Sequence, residues 1–249
     1  MRELPADVVL ADFDTRPPAD WDVAESMRLS TSAATDTLAL HQELQATRAG
    51  ALLVILYGAN AAGKDRTCRM LAGATDPRGV TFSFFGRPEP DRGGRDFLAR
   101  YHAAMPERGS VAVFNRSYYD DVEHEILRGA RDPVDLLQHI VAFEALLSDF
   151  AVRICRLYLH VSAQEQEARI SGRRSTPSMR WKHSAADEEA VANAEAHANA
   201  AQRVLRDSIA RGAGWFHVPC DDRAYADCVA ATIVRAELAN LVRGTSPRS

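Results

Sequence analysis

Hydrophobic and polar positions divide the chain into two alternating kinds of stretch. Ala51-Leu-Leu-Val-Ile-Leu-Tyr57 is a continuous apolar run stopped by Gly58. Such a run predicts a strand covered on both faces, as in a parallel sheet. Segments 80–85, 111–114, 154–161 and 215–219 predict four more strands. Between them lie stretches of Ala, Leu, Glu and Arg, including the Ala-rich segment 185–206, a strong helix-forming composition. Ahead of the first strand, Leu38, Leu40 and Leu44 share one apolar face and predict a helix over 30–48. This alternation predicts an α/β fold of three layers, a parallel sheet with helices on both faces. Residues 1–25, rich in Pro and Asp, predict a surface arm, and the tail 244–249 a frayed end. With no internal repeat or low-complexity segment, residues 1–249 read as a single domain.

Composition narrows the function classes. The formal net charge is -4, which disfavours a protein that coats nucleic acid. The four cysteines, Cys68, Cys155, Cys220 and Cys228, form no C-x-x-C pair and no zinc spacing, so reduced, buried thiols are expected. The first residues lack a secretion-signal pattern, and no apolar run is long enough to cross a bilayer. A soluble, cytoplasmic protein without nucleic-acid or membrane partners is the expectation.

The first strand leads into Gly58-Ala-Asn-Ala-Ala-Gly63-Lys64, and a helical pattern follows. Strand, G-x-x-x-x-G-K and helix together make a P-loop. Glycines let the backbone aim N–H groups at phosphate oxygens, and the helix N-terminus adds its positive dipole end. Lys64 supplies a cation for the outer phosphates. Asp65 replaces the usual Ser or Thr, and Thr67 offers a hydroxyl two residues on.

Ligands of open α/β sheets bind beyond the carboxyl ends of strands. There, after the third strand, stand Asn115, Arg116, Asp120 and Asp121. Arg116 suits a transferring phosphoryl group. Asp120 and Asp121 suit Mg²⁺, or else favour a helix N-terminus by charge alone. Arg169, Arg173, Arg174, Arg180 and Lys182 put five cations within fourteen residues, broken by Pro177. Two readings stand: a solvated basic face, or a lid over phosphates spanning about 165–190. Trp181 within the run favours an anchored lid.

These pieces together resemble the polyphosphate kinase 2 family. The similar stretches are GANAAGKDRT (58–67), RDFLAR (95–100), FNRSYYDDV (114–122), YLHVS (158–162), RWKHS (180–184) and WFHVP (215–219). They keep the family's order and spacing over roughly residues 8–242. The resemblance implies a P-loop kinase-like fold, with a five-stranded parallel sheet and a helical lid. It implies Mg²⁺-dependent phosphoryl transfer between inorganic polyphosphate and a nucleoside mono- or diphosphate (AMP/ADP or GMP/GDP), in a homo-oligomer. Lys64, Asp65, Arg116 and Asp121 would be the catalytic set, with Asp65 and Asp121 near the metal. Phosphate would lie on Gly58, Asn60, Ala61, Ala62, Gly63, Lys64 and Thr67, with Arg169 and Arg173 closing from the lid.

The chain also departs from the family's pattern. Asn60 stands where the family's loop reads G-x-D-x-x-G-K, and an amide carries no charge. Val122-Glu-His-Glu-Ile126 is acidic, with Ile126 in place of an Arg. Arg87, before Pro88, stands near the family's Lys-Pro segment. Three readings remain open: a working polyphosphate-dependent kinase, a diverged homologue that binds nucleotide or polyphosphate with little or no catalysis, and an ATP-dependent small-molecule kinase.

Overall fold

The computed structural model describes residues 2–87, 95–129 and 132–244. Pro88 and the tail 245–249 lie outside the described residues. Six strands form one sheet in the order β1-β6-β5-β2-β4-β3. They are β1 (Arg2–Glu3), β2 (Ala51–Tyr57), β3 (Val80–Phe84), β4 (Val111–Asn115), β5 (Val152–His160) and β6 (Phe216–Pro219). The helices are α1 (Val23–Thr47), α2 (Lys64–Gly73), α3 (Ala99–His102), α4 (Tyr118–Arg128), α5 (Pro133–Asp149), α6 (Ala163–Ser175), α7 (Ala185–Ala192), α8 (Ala194–Ile209) and α9 (Arg223–Val242).

All five predicted strands are present, and they are mutually parallel. The expected five-stranded parallel sheet is nonetheless corrected to a mixed sheet of six. β1 pairs antiparallel with β6, through Arg2 opposite His217. A two-residue strand held by backbone bonds leaves no periodic trace in the sequence. The expected surface arm is anchored: Leu4 N–H donates to Trp215 O at 2.9 Å, and Leu4, Val8, Leu10 and Phe13 are buried. Helix α1 starts at Val23, earlier than predicted, because Asp22 caps it by accepting from Ala24 N–H at 2.8 Å. Val23, Met27 and Leu29 in its first turns are exposed, so they gave no apolar stripe.

Every side chain of β2 is buried, and successive residues enter opposite cores. Leu53, Ile55 and Tyr57 meet Phe114, Tyr118, Leu137, Ile140 and Trp215 on one face. Leu52, Val54 and Leu56 meet Leu44, Leu71, Ile233 and Leu238 on the other. Burying each such side chain stabilises the fold by about 1.5–3 kcal/mol. This two-sided burial is why β2 reads as an unbroken apolar run. The four cysteines are buried and free. No described helix is long and apolar enough to cross a membrane.

Candidate active site

The register of the sheet sets the site. Leu56 of β2 lies opposite Asn115 of β4, so the loops that follow both strands leave the same edge side by side. Gly58 turns the chain at φ 147°, and a Cβ there would lie 2.4 Å from Leu159 O, so only glycine fits. Gly63 turns it again at φ 119°, and α2 begins at Lys64 with its first N–H groups facing the loop. Ala61 (φ 63°) and Arg116 (φ 69°) adopt the left-handed region without being glycine. Such strain costs about 1–3 kcal/mol and concentrates at functional sites. Here both strained residues flank Asn60.

The loop floors a trough of about 980 Å³ between α2, the ends of β3 and β4, and the segment of α6, the 3-10 turn Pro177–Lys182 and α7. Nine cations line it: Lys64, Arg66, Arg69, Arg87, Arg116, Arg169, Arg173, Lys182 and Arg223. The carboxylates in its wall are four, Asp65, Glu165, Asp187 and Asp227. Lys64 is buried and folds back on the loop, donating to Gly58 O and, at 3.1 Å, to Ala59 O. Burial pushes its ammonium pKa down, Asp120 opposes that, and Arg116 adds to it. Burial pushes the Asp120 carboxyl up, against the pull of Lys64. Asp120 also accepts from Ser117 N–H at 2.8 Å, completing a capping box that starts α4.

Asp65 faces the trough between two donors, Asn115 Nδ2 at 2.9 Å and Lys182 Nζ at 2.8 Å. Burial raises its carboxyl pKa, but these two hydrogen bonds and nearby cations outweigh that and lower it. Thr67 is buried beside it, its hydroxyl turned to Gly63 O at 3.4 Å.

Asn60 joins the loop to α7. Its Nδ2 donates to Asp187 Oδ1 at 3.3 Å and to Ala186 O at 3.2 Å. Its Oδ1 accepts from Arg116 at 3.1 Å, and its carbonyl accepts from Gln166 Nε2 at 3.1 Å. Asp187, only 4 % exposed, also receives Arg173 at 3.2 Å and Ser184 N–H at 3.3 Å. Helix α7 is therefore docked on the loop through an amide and a carboxylate. The sequence reading missed Asp187 and Gln166; the capping-box spacing from Ser184 to Asp187 was the one local signal for the former.

The other expected residues take several different places. Arg169 sits in the trough wall, but its guanidinium braces the loop. It donates to Ala61 O (3.0 Å), Ala62 O (3.3 Å), Cys220 O and Asp221 O (3.2 Å), and pairs with Glu165 at 2.7 Å. Asp121 does not join Asp65: it lies buried in a smaller adjoining pocket, paired with Arg100 at 2.6 Å. Trp181 is no anchor, being 77 % exposed. Of the acidic segment after Asp121, Glu123 turns inward, accepting from Tyr57 OH at 2.6 Å and pairing with His197 at 2.9 Å.

The oxygens at the loop suit a hard cation. Among the described residues, no three His, Cys, Asp or Glu side chains cluster as a metal cage. Mg²⁺ needs none, because it retains waters and binds through one or two carboxylates plus substrate phosphates. Asp65 is the carboxylate that the trough offers beside the loop, held by Lys182 and Asn115, and Asp121 lies in the adjoining pocket, held by Arg100.

Similarity to known proteins follows the same lines. The family model described as polyphosphate kinase 2 matches residues 22–242. The AMP/ADP-polyphosphate phosphotransferase of Meiothermus ruber is 31% identical over 194 residues, covering 76% of this chain and 72% of that protein. The ADP-polyphosphate phosphotransferase of Rhodopseudomonas palustris is 30% identical over 217 residues, covering 81% and 75%. The crystal structure of polyphosphate kinase 2 from Arthrobacter aurescens TC1 superposes with a TM-score of 0.89 at 27% identity, over 96% of this chain and 88% of that one. With the loop, the sheet order and nearly the whole length accounted for, the chain belongs to the polyphosphate kinase 2 family.

Proposed function

We propose that this chain transfers phosphoryl groups between inorganic polyphosphate and a nucleoside mono- or diphosphate. The observation that carries the reading is the trough: nine cations against four carboxylates around a phosphate loop, in a chain of net charge -4. So local a surplus matches a polyanion that binds along a groove. The names of the relatives support AMP and ADP as acceptors.

In this reading the loop amides and the first turn of α2 hold the phosphates in line, which supplies most of the catalysis in phosphoryl transfer. Lys64 and Arg116 stabilise charge on the transferring group. Arg173 and Lys182, which rest on Asp187 and Asp65, clamp the substrate from the lid. Mg²⁺, held by Asp65 with substrate oxygens, would neutralise phosphate charge.

The test is chromatography of nucleotides after incubation with long-chain polyphosphate, Mg²⁺ and, separately, AMP, ADP, GMP and GDP. Product from at least one acceptor is expected. Product only when ATP is the donor would favour a small-molecule kinase. A folded protein that binds polyphosphate and yields no product would favour the diverged binder, the reading to which neutral Asn60 lends weight.

A further inference from the structure

The trough is rich in cations, yet large apolar side chains stand exposed at its edge. Trp181, at 77 %, is the most exposed large apolar side chain described. It sits on the 3-10 turn whose Met179 and Lys182 line the trough. Lys182 Nζ lies 5.1 Å from the indole centre and 2.8 Å from Asp65 Oδ2. The ring centre is thus no farther from the Asp65 carboxylate than those two distances together, about 8 Å. This cation–π contact ties the exposed ring to Lys182, which lines the trough. Phe84, the last residue of β3, lines the same trough and is 64 % exposed.

Lysine and arginine recognise the phosphates of a nucleotide but leave its base unaccounted for. A base offers a flat π-face, and exposed aromatic rings beside a phosphate-binding groove are the usual partner for it. We propose that Trp181 is the platform on which the base of the acceptor nucleotide stacks, with Phe84 and Met179 completing an apolar rim. The stacked base places the nucleotide's phosphates toward Lys182 and the loop. Stacking tolerates either purine, because each has a π-face. This assignment rests on the proposed function only in calling the nucleotide the acceptor; base stacking itself needs no turnover.

Tryptophan fluorescence of the full-length protein tests it. Trp215 is buried and Trp21 packs edge-on against Tyr225, whereas Trp181 stands exposed beside trough-lining Lys182, so Trp181→Phe isolates its share of the signal. ADP and GDP should quench the emission, whereas tripolyphosphate, which has no base, should not. The quench should vanish in Trp181→Phe, which still binds ADP. Trp181→Ala should weaken ADP binding about tenfold, a typical loss for one base–aromatic stack, and leave tripolyphosphate binding unchanged. Equal quenching by tripolyphosphate, or unaltered ADP affinity in Trp181→Ala, overturns the assignment. So does emission that depends on protein concentration and not on ADP, which would mean that a second copy covers the ring. Failure of phosphoryl transfer with these binding results intact would sink the proposed activity alone.

Discussion

Asn60→Asp perturbs the contact between the loop and α7 most directly. The amide donates to Asp187 Oδ1 at 3.3 Å and to Ala186 O at 3.2 Å. A carboxylate in its place turns both contacts repulsive. Two unit charges at 3.3 Å repel by about 5 kcal/mol at an effective dielectric near 20. Arg116 and Arg173, each on one member of the pair, recover much of this. A net loss of about 1–3 kcal/mol is left, because the lost hydrogen bonds have no replacement. For a chain of this size that lowers the melting temperature by roughly 2–12 °C. The paired carboxylates would form a site for a hard cation, so millimolar Mg²⁺ should restore the loss. The assay is thermal unfolding of both proteins with and without Mg²⁺, in the absence of substrate. Mg²⁺-dependent recovery in the variant and little Mg²⁺ effect in the parent are expected. A variant as stable as the parent and indifferent to Mg²⁺ would refute the Asn60–Asp187 contact and the docking of α7.

Other perturbations probe the frame around the site. Glu144, buried, accepts from Tyr118 and Tyr119 hydroxyls and holds Arg156 with two hydrogen bonds, so Glu144→Ala should cost about 3–5 kcal/mol in denaturant unfolding by stranding a buried cation. Arg169→Lys keeps the charge but cannot reach four carbonyls, so it should lower kcat by at least about tenfold, while Arg173→Lys, at a single carboxylate, keeps most of the rate. Burial beside His160 and Arg2 pushes His217 down to about 3 from its ordinary 6.5. Between those values the unfolded chain carries the extra proton, so stability should fall as pH drops through 6.5 toward 3. His217→Gln should flatten that acid limb in denaturant titrations.

What the sequence revealed was what neighbouring residues decide. The phosphate loop is a local spacing, and β2 is a local run, so both were legible. The basic run 169–182 showed charge but not destination: Arg169 serves the loop's carbonyls, and Arg173 meets a carboxylate fourteen positions on. The partner of Asn60 lies 127 residues away, and only folding brings α7 to the loop. Tyr118 and Tyr119 gave the resemblance much of its specificity, yet their role is in the core, where Glu144 from α5 meets their hydroxyls. Asp121 reads as a metal candidate from its place after a strand end, and its pairing with Arg100 comes from a helix the pattern did not define.

The central claim is that phosphate passes from polyphosphate to nucleotide at this loop. Incubating ³²P-labelled polyphosphate with ADP and Mg²⁺ tests it most directly, with Lys64→Ala as the comparison. Label appearing in ATP with the parent protein and lost with the variant is the predicted result. Absence of label with the parent from ATP and from the products of AMP, GMP and GDP alike, or equal labelling by both proteins, would contradict the account.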